Sequence, residues 1–243
     1  MSGHSKWATI KRQKGANDIK RGALFTKLSN AVSVAVRQGG GVSDPNQNFR
    51  LRLAVDAART ANMPKENIQR AIDRVSGKDG KVFDEVVYEG FGPGGISVII
   101  EAATDNKNRT TAEVKSTFDK NGGNMGQMGS VAYQFQVIGR ITVAKGQKTL
   151  DEIFIEAAEL GADDIAEGED EIYIYSDSGN LGAIRDTFLQ NNYTIMATEL
   201  IRKPITTIEM EDDEMLSKIA KFLDKIEELD DVQKVYLNIE GYH

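Results

Sequence analysis

At 243 residues, with 40% apolar and 28% charged positions, the chain has room for one large domain or two to three small ones of ordinary globular composition. It contains no cysteine, which excludes disulfides, thiolate metal sites and thiol nucleophiles, and its two histidines, His4 and His243, lie near opposite ends. The net charge of −7 conceals a split: residues 1–78 hold 15 Lys+Arg against 5 Asp+Glu, whereas residues 79–243 hold 15 against 32.

Residues 1–18 show no clear period, and Trp7 and Ile10 are their only large apolar residues. So little apolar surface cannot offset the entropy of ordering, and a mobile basic arm is expected. A helix is predicted over 18–38 with the stripe Leu24, Leu28, Ala31, Val32 and Ala35, ended by Gly39-Gly40-Gly41. After a loop at 42–48 comes a helix over 48–61 with Leu51, Ala54, Val55 and Ala58 inward. Pro64 opens a third helix with Ile68, Ala71, Ile72 and Val75 inward. Three short amphipathic helices predict a three-helix bundle, followed by a linker over 76–85.

Beyond the linker, strands alternate with helices. Segments 82–90 and 96–104 read as a hairpin, 107–121 as a helix ended by Gly122-Gly123, and 130–136 as a strand. From Gly139 the order strand, helix (149–160), strand, strand, helix (179–191), strand is the ferredoxin-like βαββαβ unit. A last helix (212–228) and strand (232–240) do not fit that unit, but they complete the ββαβ before it. The expected fold is therefore α+β: a basic arm plus three-helix bundle (1–78), a discontinuous α/β middle domain (79–137 and 205–243), and a ferredoxin-like domain (138–204) inserted into the middle one.

Several motif matches fail on context. Gly90-Phe91-Gly92-Pro93-Gly94-Gly95 has the letters of a dinucleotide loop, but a strand follows where a helix is required. Gly146-Gln147-Lys148-Thr149 has one residue too many for a P-loop. Between Thr149 and Ile184 stand eleven Asp+Glu and no Lys or Arg, without EF-hand spacing, so a solvated acidic face is expected. Tyr173 and Tyr175 share a strand face as base-stacking aromatics do, but neighbouring carboxylates repel RNA. No catalytic constellation, cofactor site or metal site is found, and no enzyme is expected. No apolar run reaches the roughly 18 residues of a membrane helix. A cytoplasmic protein without membrane or small-molecule partner, and monomeric, is expected.

The specific chemistry lies in the front. Lys6, Lys11, Arg12, Lys14, Lys20, Arg21 and Lys27 face one acid, Asp18, with Trp7 among them as a face for a base. Lys20 and Lys27 are spaced to share one edge of the first helix, as Arg52 and Arg59 are on the second and Arg70 and Arg74 on the third. An acidic body behind this front repels phosphates and would orient a polyanion on the basic end.

The strings Gly3-His4-Ser5-Lys6-Trp7, 20–28 (KRGALFTKL), 37–41 (RQGGG), 50–54 (RLRLA), 61–72 (ANMPKENIQRAI), 88–95 (YEGFGPGG), 104–110 (TDNKNRT) and the glycine pattern of 121–131 together resemble the YebC/PmpR family. That resemblance implies a helical first domain and two α/β domains, and a DNA-binding transcriptional regulator as members are usually labelled. Some relatives, mitochondrial ones included, act in translation at the ribosome. The alternative partner is then rRNA, with the Asn62–Lys65 turn entering it. Before Arg50 the family commonly has Pro and a shorter loop, where this chain has VSDPNQNF. The candidate nucleic-acid-binding set is His4, Ser5, Lys6, Trp7, Lys11, Arg12, Lys14, Lys20, Arg21, Lys27, Arg52, Arg59 and Lys65.

Overall fold

A computed structural model describes residues 21–76, 83–146, 148–168 and 170–242. The fold is mixed α/β, with seven α-helices and two four-stranded sheets among the described residues. The chain divides into two compact units. One comprises the chain up to Ala58, Asn62–Phe135 and the chain from Pro204 on; the other comprises Gln136–Lys203 with Arg59–Ala61.

In the first unit, α1 (Arg21–Gln38), α2 (Phe49–Thr60) and α3 (Lys65–Ser76) enclose a core of Val32, Ala35, Val36, Leu51, Val55, Ala58, Met63, Ile68, Ala71 and Ile72. Asn48 joins α1 to α2. Its Nδ2 donates to the carbonyls of Ala35 and Val42, while its Oδ1 accepts from the Leu51 N–H, so one buried amide caps both helices. The turn into α3 places Asn62 at φ 57° and buries Met63, whose N–H donates to Ala58. Helix α1 has a second buried side: Val34 packs with Phe83 and Ala103, and Ser33 and Asn30 are buried. The predicted linker is thus shorter than 76–85 at its far end, because Phe83 is core and Asp84 begins a strand; residues 77–82 lie outside the described residues.

The first sheet runs in the order β3-β1-β2-β8, from β1 (Asp84–Phe91), β2 (Ser97–Thr104), β3 (Asn124–Met125) and β8 (Val232–Leu237). β1 and β2 form an antiparallel hairpin closing at Phe91↔Ser97. Its connection is a 3₁₀ turn at Pro93–Gly95, with Gly94 at φ 74°, a conformation L side chains rarely adopt. The glycine motif is therefore a hairpin turn. β8 pairs antiparallel with β2. Helices α4 (Lys107–Lys120) and α7 (Asp213–Glu227) contribute Val114, Phe118, Leu216, Ile219, Phe222, Leu223 and Ile226 to the core with Val98, Ile100 and Val235. Phe118 and Phe222 meet edge to face at 5.1 Å.

Of the strand expected at 130–136 only Phe135 and Gln136 are extended, as the start of a later strand, and residues 130–134 are not. Residues 130–134 are instead a loop and a 3₁₀ turn (Ala132–Gln134), and the second strand partner of β1 is the two-residue β3. The reason is Glu89, buried on β1: Oε1 accepts from the Gly129 N–H (2.7 Å), and Oε2 accepts from those of Val131 (2.9 Å) and Ala132 (2.8 Å). Amides bonded to a carboxylate cannot also serve a ladder.

The second unit carries the sheet β5-β6-β4-β7, from β4 (Phe135–Ala144), β5 (Ala162–Glu167), β6 (Glu171–Ser176) and β7 (Ile195–Pro204). This is the strand order of a βαββαβ unit. Helices α5 (Leu150–Glu159) and α6 (Leu181–Gln190) bury Ile153, Ala157, Leu181, Ile184 and Phe188, and β4 and β6 bury Ile141, Val143, Ile172 and Ile174. A capping box, Thr149 with Glu152, starts α5. Tyr173 and Tyr175 each face a cation, with Arg140 at 5.5 Å and Lys203 at 4.2 Å from their ring centroids. These rings are therefore occupied within the unit.

Candidate nucleic-acid interface

Of the candidate set, His4, Ser5, Lys6, Trp7, Lys11, Arg12, Lys14 and Lys20 lie outside the described residues. Arg21 is the first residue of α1. Four cations remain, and the structure gives them different duties.

Lys27 is half-buried, and its ammonium donates to the backbone carbonyl of Glu227 (2.5 Å) at the end of α7. Burial pushes its pKa down against the opposing pull of Glu227 and Asp230. A cation at a helix C-terminus complements the free carbonyls there. Lys27 is thus a link between α1 and α7. Arg52 donates from Nε to the Pro45 carbonyl (3.1 Å) and from Nη2 to that of Asn46 (3.2 Å), which holds the VSDPNQNF loop against α2. Arg59, near the end of α2, and Lys65, at the start of α3, are exposed on either side of the Asn62–Pro64 turn.

The row on α3 is divided. Arg70 is exposed and bonded along its own helix to Glu66 and Asn67. Arg74 turns inward, donating to the Ser29 carbonyl, Asn30 Oδ1 (3.1 Å) and Ser33 Oγ (2.8 Å), with its guanidinium 4.1 Å from the Phe83 ring centroid. Burial lowers its pKa, although Asp105 pulls the other way. Arg37 likewise works internally, paired to Asp84 at 3.2 Å and bonded to the Phe83 carbonyl.

The described acidic side is equally organised. A cleft of about 590 Å³ opens between α1, the start of α4 and the turn after α7, and Asp105, Glu113, Glu228, Asp230 and Asp231 line it with Arg109. Asp231 is buried and accepts from Thr110 Oγ1 (2.6 Å), Arg109 Nη2 (2.8 Å) and Thr104 Oγ1 (3.1 Å). Burial disfavours its charge, but the bonds from Thr110, Arg109 and Thr104 outweigh burial and hold the carboxyl below its ordinary value. Asn106 caps α4 by accepting from the Arg109 N–H, so the 104–110 string is a strand end, a cap and a carboxylate cradle in one. Sequence reading missed Asp231 and Glu89. The partners of Glu89 are backbone amides, and Asp231 stands in the acidic run 227–231 with partners remote in the chain, so no spacing rule exposes either residue. Among the described residues no three His, Asp or Glu side chains could hold a metal ion, and no helix is long and apolar enough to cross a membrane.

A helical front with outward cations, followed by two four-stranded α/β sheets, defines the class of protein. The model of the TACO1/YebC protein N-terminal domain matches residues 5–78, and that of the TACO1/YebC second and third domain matches residues 83–239. The chain belongs to the TACO1/YebC family. Curated relatives called "probable transcriptional regulatory protein" include one from Chloroflexus aurantiacus, 48% identical over 99% of this chain and 96% of its own length. Another, from Persephonella marina, is 46% identical with the same coverage. The crystal structure of a conserved hypothetical protein from Aquifex aeolicus shares 42% identity and superposes with a TM-score of 0.86, covering 97% of both chains.

Proposed function

We propose that this protein is a non-enzymatic regulator of gene expression that binds nucleic acid through its basic front, with DNA as the partner. The observation that carries this reading is charge segregation: an excess of ten positive charges in residues 1–78 against an excess of seventeen negative ones in the remainder. Exposed Lys65 extends that front onto the helical segment, with exposed Arg59 close to it in the chain, and the carboxylate-lined cleft disfavours phosphates elsewhere in the unit that holds Lys65. The names of the relatives support a regulatory role. The arm Lys6–Lys14, with Trp7 as a stacking face, supplies the phosphate contacts, and the helical cations extend them.

The test is crosslinking in cells followed by sequencing of the bound nucleic acid. Discrete promoter reads are expected. Reads dominated by rRNA would reassign the same surface to the ribosome and translation, and the absence of any crosslinked nucleic acid would overturn the proposal.

A further inference from the structure

The stretch from Asn121 to Gly139 contains no Asp, Glu, Lys or Arg, although it lies in the half of the chain where acids outnumber cations two to one. In its middle, Met128 is 91% exposed and Tyr133 is 72% exposed, the two most exposed large apolar side chains among the described residues. Exposure of this kind ordinarily belongs to a mobile tip. Here the backbone beneath is fixed. Both Glu89 oxygens hold the amides of Gly129, Val131 and Ala132, and the Glu89 carbonyl accepts from Gly126 (2.8 Å). A turn closed by the Ser130 N–H on the Gln127 carbonyl (3.1 Å) puts Met128 at the tip, and Gly129 takes φ 87°. Gln134 Nε2 donates to the Tyr133 hydroxyl (3.2 Å), while its Oε1 accepts from Ser97, so the ring is steadied from the sheet.

We propose that residues 126–134 form a second contact surface, which takes unpaired bases of a single-stranded nucleic-acid segment, Met128 packing against one base and Tyr133 stacking on another. The proposal rests on the nucleic-acid reading above. A carboxylate here would repel the phosphates that accompany each base, and the stretch has none. An aromatic ring and a soft thioether offer apolar faces to any base, and exposed Asn124 and Gln127 offer amides to base edges. Prior fixing of the loop lowers the ordering cost of binding. A protein pocket would also accept Met and Tyr, but a loop that docks a protein would leave single-strand affinity unchanged when both side chains are removed.

The experiment measures affinity of the full chain for one DNA oligonucleotide, single-stranded and annealed to its complement. Met128→Ala/Tyr133→Ala is expected to weaken single-strand binding about tenfold and duplex binding less than about twofold, and Tyr133→Phe to retain most of the stacking. Both substituted side chains are exposed, so folding is not at risk. Lys11→Gln/Arg12→Gln/Lys14→Gln weakens both probes alike. Unchanged single-strand affinity in the loop variant, or an equal loss on both probes, overturns this inference and leaves the basic front standing. A native chain that binds neither probe overturns the underlying reading itself.

Discussion

Arg109 Nη2 lies 2.8 Å from Asp231 Oδ2, joining the start of α4 to the residue that precedes β8, far apart in the chain. Because Thr104 and Thr110 donate to the same oxygen, removing the carboxylate leaves three donors without it. Asp231→Ala is expected to cost about 3 kcal/mol, read as a lowered urea midpoint with unchanged slope. The pH dependence has a definite sign. The folded carboxyl titrates below its ordinary value of 3.8, so its contribution is present above that value and is lost as pH falls through the lower, folded one. Asp231→Asn should therefore flatten the acid limb of the stability profile.

Glu89 is 4% exposed and holds three amides of the glycine loop. Glu89→Ala is expected to cost roughly 2–4 kcal/mol, since it strands buried donors. Glu89→Gln keeps one accepting oxygen and opposes an NH₂ to the remaining N–H groups, so its cost should be smaller. Hydrogen exchange distinguishes loop release from global loss. Protection at Gly129, Val131 and Ala132 should fall while that of the β1–β2 ladder is retained in Glu89→Gln.

If the arm supplies phosphate contacts, Lys11→Gln/Arg12→Gln/Lys14→Gln should make the slope of log K against log salt less negative by about 2–3. A footprint of six to eight cations on B-DNA predicts a native slope of roughly −5 to −7. Titrating affinity from low to moderate salt gives both numbers, and an identical slope in the triple variant removes the arm from the interface.

Lys27 and Lys65 should separate in function. Lys27 holds the Glu227 carbonyl, whereas Lys65 is exposed at a helix start. Lys27→Ala is expected to lower stability by about 1–2 kcal/mol through the lost charge-assisted bond. Lys65→Gln should leave stability within about 0.5 kcal/mol and weaken nucleic-acid binding more than Lys27→Ala does. Thermal melts and binding isotherms on the same two variants decide it.

Periodicity disclosed the apolar side of most elements. Ile68, Ala71 and Ile72 on α3, and Ile219, Phe222, Leu223 and Ile226 on α7, are buried as their spacing required. The glycine motif between β1 and β2 was legible because a strand, not a helix, followed it. Where burial came from two directions the reading failed. Helix α1 has one stripe by period, yet Val34, Ser33 and Asn30 are also enclosed, because a second element packs on its other side. The cation rows were legible as spacing but not as duty, since spacing does not tell an outward Lys65 from an inward Arg74 that finds Ser33 and Phe83. The β-rich letters of 130–134 misled for a related reason: a distant carboxylate captured the amides a strand would have used.

The tail strand β8 adds to the hairpin strand β2, and α7 supplies much of the core beneath it. During synthesis β2 therefore waits with an open, apolar edge while more than a hundred residues are still to be made. The first sheet can close only when β8 has been translated, whereas every strand of the second sheet precedes it. Such an edge is a template for intermolecular pairing until it is covered. A premature stop shortly before Val232 should thus yield a chain whose second unit is complete and whose first unit aggregates, so that nascent chains of this protein depend on holding factors until β8 has emerged.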